Sequence, residues 1–434
     1  MPENVTASRS ILSQKRLRII TNNMRKGSSK ISKIHAAKIQ NNWTPKKRLE
    51  IQNFYDILES VAWLWRVFGV FPIAINNPIG RERYSGNKFI AVYSSLMFGV
   101  CLGNFVYIMM NYDYYFGRGS FRMTSLTSVV QSLGNVLSIF SSTAYRLSQQ
   151  NALSESINSI AEQDIIMNKM NCRSNYDLCV KIIRTCVWTS LLAVIYFILY
   201  DINGIDRDYS IMSPEYFFWN LGLMIQAIDL TVFATLVGLL GVIFHDLNKK
   251  IRAVVTRANS SSSKVLVTSD VCAEQLRFIS EIHYHMCTVG KQINRIFDWS
   301  VIINVMVAFV ILSANMYYIF YEVQRPGETD IPQIISYIQW ELFHSVPLII
   351  VVIVSNLTSH QSIVTGKLIH EIRVENTDSD LYQAVKSFSL QLHHQRLEFT
   401  AGGFFPINST LLQTMIGKIT TYLVILIQFK PKLD

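Results

Sequence analysis

Thr421-Tyr422-Leu423-Val424-Ile425-Leu426-Ile427-Gln428-Phe429 closes the last hydrophobic stretch of the chain, just short of its end. Five consecutive apolar residues run into an uncharged amide and an aromatic ring. A membrane helix seldom keeps an amide at its terminus without a use for it, because hydrocarbon offers that group no partner. Thr421, Ile425 and Gln428 are spaced by four and three, so they share one helical face, and Lys418 and Thr414 continue it downward. Further upstream, Gly402-Gly403 and Pro406 interrupt the helix. An inner piece ending near Ala401 and a spanning piece starting near Asn408 are expected, with Asn408 or Ser409 as cap.

The rest of the chain fits a membrane setting. It has 434 residues, 50% hydrophobic and only 16% charged, with a mean hydropathy of +0.24, which excludes a typical soluble enzyme. Seven stretches reach the roughly 20 apolar residues that a bilayer crossing needs. They lie near 89–112, 121–144, 182–201, 215–245, 296–320, 335–355 and 404–429. The second is diluted by Ser125, Ser128, Gln131, Ser132, Asn135 and Ser138, as suits a helix packed against protein rather than lipid. An eighth run, Val61 to Ile75, carries Arg66 and Pro72 and is expected to be an interfacial or re-entrant helix. The start of the chain is polar and basic, so no cleavable signal peptide is expected. The six cysteines sit in spans or inner loops, and no structural disulfide is expected.

Charge placement sets the orientation. Lys and Arg number 16 up to Lys88, then 4, 7 and 4 in loops 145–181, 246–293 and 356–402. The other side holds 1 each in loops 113–120, 202–214 and 321–334, and 2 in the tail. The positive-inside rule therefore predicts a cytosolic N-terminus and an extracellular C-terminus, the reverse of a G-protein-coupled receptor. The sequons agree: Asn4, Asn42, Asn259 and Asn356 fall inside, Asn408 falls within a span, and none lies in an outer loop. The net charge of +10 follows from topology and attraction to membrane lipid, not nucleic acid. The organisation expected is a basic cytosolic segment 1–55, the interfacial or re-entrant segment 56–88, and six helices over 89–355 with cytosolic extensions at 246–293. A connection with the inner half of helix seven follows at 356–402, and the last helix with a short outer tail at 403–434. Leu276, Ile279, His283, Met286, Gly290, Ile293 and Phe297 keep helical spacing below the fifth span, and Leu381, Val385, Phe388 and Leu392 do so before the seventh. Those stripes could pack within the chain or between subunits.

The closing Thr-Tyr, five apolar residues and Gln-Phe resemble the C-terminal signature of insect gustatory receptors, echoed more loosely in the odorant co-receptor. The run His393-His394-Gln395-Arg396-Leu397-Glu398-Phe399-Thr400-Ala401-Gly402-Gly403-Phe404 resembles that family's approach to its final helix. The resemblance implies an all-α membrane protein of seven transmembrane helices extended into a cytosolic anchor bundle. It implies a homotetrameric, tastant-gated, non-selective cation channel in the plasma membrane, whose last helix lines the pore, with other receptor subunits as further partners. Four copies would form a ring of Gln428 amide oxygens able to replace part of a cation's hydration shell, for monovalent ions and calcium. Ile425 would be a hydrophobic gate, with Thr421 below it. Lys418 shares the stripe, and an ammonium ring there would oppose cations.

Polar and aromatic groups in the spans offer a ligand site. Gln226 and Asp229 lie one turn apart in the fourth span, Tyr318 closes the fifth, and Tyr337, Trp340, Glu341 and His344 open the sixth. Aromatic walls with a few polar tips describe a small-molecule pocket, and equally an interfacial belt. The resemblance places ligands in the extracellular half of the bundle. Trp340 and His344 form a Trp-x-x-x-His shared with some sugar-sensing relatives, but Tyr337 stands where the fructose-responsive branch would have glutamine, leaving a bitter-type organic tastant open. No cofactor, metal site or enzymatic chemistry is expected. An intramembrane zinc hydrolase of inverted topology would need about three converging histidines, and His344 alone lies well inside a span. A transporter would show repeated halves or paired broken helices, and one break is present.

Overall fold

The computed structural model describes residues 54–76, 83–111, 123–169, 176–204, 214–260, 265–324, 330–374 and 380–428. All of these fall in one compact unit, Ile51–Asn76 with Arg83–Asp434. The basic N-terminal segment expected at 1–55 lies almost entirely outside the described residues.

Among the described residues the architecture is helical, with two short hairpins. Helix α1 (Phe54–Val67) leads into β1 (Ile73–Asn76), which pairs antiparallel with β2 (Arg83–Gly86). Then come α2 (Lys88–Met110), α3 (Met123–Ile139) running through a π-helical turn Phe140–Tyr145 into α4 (Arg146–Ser148), α5 (Gln150–Lys169), α6 (Tyr176–Gly204), α7 (Pro214–Ser260), α8 (Val265–Gln324) and α9 (Ile331–Ile369). Helix α10 (Asp380–His394), hairpin β3 (Thr400–Ala401) and β4 (Phe405–Pro406), and α11 (Ser409–Gln428) finish the fold.

Each of the seven apolar stretches falls on a helix. Lys88–Met110, Asn220–Asn259, Asp270–Gln324 and Ile331–Ile369 are long and apolar enough to cross a bilayer by themselves. Their burial differs sharply: only 11% of the apolar window of α2 is buried against 72% for α7. Phe89, Val92, Leu96 and Val100 of α2 are bare, an arrangement that lipid tolerates and water does not. At about 1.5 Å per residue, the 60 residues of α8 span roughly 90 Å, far beyond the ~30 Å hydrocarbon core. Helices α7, α8 and α9 therefore continue together as a bundle at one end.

In that bundle Leu276, Ile279, His283, Met286, Ile293 and Phe297 are all buried, as are Leu381 and Phe388 of α10. The two stripes meet each other: His283 sits 5.9 Å from Phe388, and Ser280 Oγ donates to Gln391 Oε1 at 2.6 Å. They are thus satisfied within the chain. Close helix approach is specific at Gly241, where a Cβ would fall 2.5 Å from Thr358 Oγ1, the hydroxyl that donates to Val237 O.

Three elements differ from expectation. The segment 56–88, expected as an interfacial or re-entrant helix, is helical only to Val67: Gly69, at φ 72°, turns the chain before Pro72, and Ile73–Asn76 then pairs with Arg83–Gly86. Arg66 is accommodated because Glu59 receives it through two hydrogen bonds and Tyr84 Oη donates to the same carboxylate at 2.8 Å. The inner piece before the last span stops at His394, not near Ala401, since Thr400–Pro406 folds as a hairpin closed by Gly402 and Gly403 at φ 58° and 74°. The cap is as expected: Asn408 Oδ1 accepts from Thr410 N at 3.0 Å. Finally, α5 occupies the inner loop 145–181, for which no particular helical stripe was assigned; its signal was Leu153, Ile157, Ile160 and Met167, all buried on one face.

Candidate functional site

Polar groups that cannot reach water in a helical bundle must find partners in neighbouring helices. Gln226 and Asp229 of α7 do so along one thread. Gln226 Nε2 donates to Asn304 Oδ1 at 2.5 Å, and Asn304 Nδ2 donates to Ser300 O at 2.7 Å. Ser300 Oγ donates to Asp229 Oδ2, and Asp229 Oδ1 lies 2.9 Å from Arg146 Nη2. Arg146 is fully buried, with its Cζ 3.6 Å from the centroid of the Phe297 ring. Its Nε, Nη1 and Nη2 make no hydrogen bond of good geometry among the described residues, so ion pairing and stacking hold it. The π-helical turn at Phe140–Tyr145 helps aim it: Ser141, Ser142 and Thr143 bond back to carbonyls of their own helix, and Ser141 also reaches Ser300 at 3.3 Å. Sequence reasoning counted Arg146 as a loop charge and missed its role.

Tyr318, Tyr337, Trp340, Glu341 and His344 form a different cluster. Tyr318 of α8 and Tyr337 of α9 have ring centroids 5.4 Å apart, and Trp340 stacks on His344 at 5.9 Å and 17°. His344 is 6% exposed and its Nε2 has no partner among the described residues; the same holds for Glu341 Oε1 and for Asn315 Nδ2 on α8. Asn304 and Tyr318 are 14 residues apart on one helix, about 21 Å. The structure therefore separates the expected ligand residues into two sets by depth. Gln226 and Asp229 lie deep toward the bundle extension, with both Asp229 oxygens occupied, and the aromatic set lies at the opposite end.

Along α11, Leu411 and Met415 are buried and Tyr422 meets Phe309 of α8 at 5.7 Å, so these hold the helix to the body. Thr414, Lys418, Thr421, Ile425 and Gln428 are exposed. Thr414 and Thr421 hydroxyls donate to Thr410 O and Gly417 O, each at 2.8 Å. At 100° per residue Lys418 points about 80° away from Gln428 but only about 20° from Ile425. It lines a groove of about 660 Å³ between α3, α8 and α11, beside Thr410 and Thr414. Lys418 thus stands at the edge of the stripe, not on its centre.

The signature of the 7tm chemosensory receptor family matches residues 58–433. The chain belongs to that family. Curated relatives of this receptor include putative gustatory receptor 28b of Drosophila melanogaster, 28% identical over 176 residues. That match takes in 39% of this chain and 37% of the relative. The gustatory receptor for bitter taste 66a of the same fly is 30% identical over 171 residues, 36% of this chain and 30% of its own. The matches thus span about a third of each of those relatives. Among solved structures, the insect olfactory receptor OR5 from Machilis hrabei, determined with eugenol, superposes with a TM-score of 0.63. It covers 86% of this receptor and 98% of its own chain at 11% identity, a likeness of fold. The all-α, seven-helix reading and the gustatory-receptor resemblance both stand.

Proposed function

We propose that this receptor is a subunit of a tastant-gated, non-selective cation channel of the plasma membrane, four copies of which surround a pore lined by α11. The observation that carries it is the exposed polar stripe on α11. An isolated chain would leave the Gln428 amide facing hydrocarbon beside Thr421, while a four-fold arrangement gives them a common wet axis. Gln428 then supplies amide oxygens to monovalent cations and calcium, and Ile425 one turn below closes the pore by dewetting.

The ligand site is assigned to the end of the bundle away from the extensions, where Tyr318, Tyr337, Trp340, Glu341 and His344 gather. Asp229 and Gln226 hold α4, α7 and α8 together beneath it as positioning residues. Cation-replacement recordings on cells expressing the receptor test the pore. Gln428→Glu is expected to raise calcium permeability relative to sodium, and Ile425→Ala to produce a ligand-independent leak. Wild-type selectivity and silence in both variants would remove α11 from the conduction path.

A further inference from the structure

Helices α8 and α9 run antiparallel, and the Tyr318–Tyr337 ring contact fixes their register. One turn inward from Tyr318 on α8 is Asn315; one turn inward from Tyr337 on α9 is Glu341. At 1.5 Å per residue these steps are about 4.5 and 6 Å, so the two side chains occupy the same layer of the bundle. Glu341 shares the inward stripe of α9 with His344, Leu348 and Val352, all three of which are buried. An amide donor and a carboxylate acceptor thus stand at one level on facing helices. They do not bond to each other: Asn315 Nδ2 and Glu341 Oε1 are both buried without a partner. His344 Nε2, about 4.5 Å deeper on the same stripe, is a third unmet group. No ion pair involves Glu341 among the described residues.

A lone carboxylate inside a membrane bundle is costly unless a cation reaches it. From this we infer that the tastant is an organic amine, protonated at physiological pH, that bridges Glu341 and Asn315 under the Tyr318–Tyr337 rings. Its ammonium donates to Glu341 and lies against ring faces, which attract desolvated cations. An acceptor on the same molecule takes the Asn315 amide, and its apolar body fills the aromatic surround with Trp340 at the edge. Sugars, uncharged and hydroxyl-rich, leave the Glu341 charge unpaired and fit poorly. This rests on the ligand site proposed above but not on the pore.

The test uses the purified full-length receptor in nanodiscs, with 4-methoxyphenethylamine and 5-methoxytryptamine, each carrying an ether oxygen as acceptor, set against the neutral 4-methoxyphenylethanol and 5-methoxytryptophol. Thermal-shift titration is expected to give at least tenfold tighter binding for each amine than for its alcohol. Glu341→Gln, the same size without the charge, is expected to abolish that preference while the unliganded protein melts at or above the wild-type temperature. Asn315→Ala should weaken amine and alcohol alike. Equal binding of amine and alcohol, no binding of either amine, or a preference that survives Glu341→Gln would each overturn the inference. Should Glu341→Gln fail to fold, the wild-type amine-to-alcohol ratio decides by itself. Amine binding without current would sink the channel proposal alone, and currents evoked equally by both alcohols would sink the amine inference alone.

Discussion

Asp164 shows how one misplaced charge reports its surroundings. It sits on the buried face of α5 between Ile160 and Met167, where an apolar residue would be the ordinary choice. Burial, followed by the nearby Asp246 carboxylate of α7, pushes its pKa up to about 6. Asn168 Nδ2 touches it at 3.3 Å, and Lys249 pairs with Asp246 at 3.5 Å. An acid whose folded pKa is raised binds its proton more tightly in the native state. Stability is therefore lost as pH rises from the unfolded value near 4 through about 6, and the full deficit is present at neutral pH. Asp164→Asn is expected to stabilise the receptor by about 1–2 kcal/mol at pH 7.5 and to change little at pH 4. Melting curves in nanodiscs at the two pH values check the sign. The Arg146–Asp229 pair should behave oppositely to removal of one partner. Arg146→Met alone strands a buried carboxylate and is expected to cost about 3–5 kcal/mol, whereas Arg146→Met with Asp229→Leu recovers most of it. A double-mutant cycle on melting temperature or surface expression measures both.

At the scale of elements, what was legible depended on which force shaped each one. Apolar length and three-four spacing located every spanning helix and the stripes at Leu276–Phe297 and Leu381–Leu392, because burial of one face writes itself into local sequence. The break before α11 was legible from Gly402-Gly403 and Pro406, and so was its cap at Asn408. The hairpin within that break was not, since a two-residue pairing such as Thr400 with Pro406 is set by what it packs on: Asn294 of α8, whose Oδ1 accepts from Thr400 N at 3.0 Å. The same limit applies to the site. Residue types pointed alike to Tyr337, Glu341, His344, Asp229 and Gln226, but not to the pairing of Asp229 with Arg146 or of Gln226 Nε2 with Asn304. Long-range partners decide such roles, and no spacing rule encodes them. Asn408→Ala removes the side-chain acceptor at the first turn of α11 and is expected to cost about 1 kcal/mol, with Asn408→Asp close to neutral. Melting temperatures of the two variants distinguish loss of the cap from a merely local change of size.

Across the whole molecule, burial is arranged from the inside out. Helix α7 is wrapped by its neighbours, α2 is bare toward lipid, and α11 is held along one edge only, through Leu411, Met415 and Tyr422. A terminal helix clasped on one side with a polar stripe on another face implies that something outside the chain completes it. A second copy is the occupant that symmetry supplies most readily, and a wet pore requires that the copies form a closed ring. The charge asymmetry of the sequence predicts the direction in which that ring faces. Two measurements follow from this arrangement. Single-particle photobleaching of fluorescently tagged receptor is expected to show up to four steps per particle. An epitope after Asp434 should be labelled on intact cells, while one before Met1 should be reached only after permeabilisation. One bleaching step, or labelling of the N-terminal epitope on intact cells, would leave the stripe on α11 without an axis to face and the cation path without a direction.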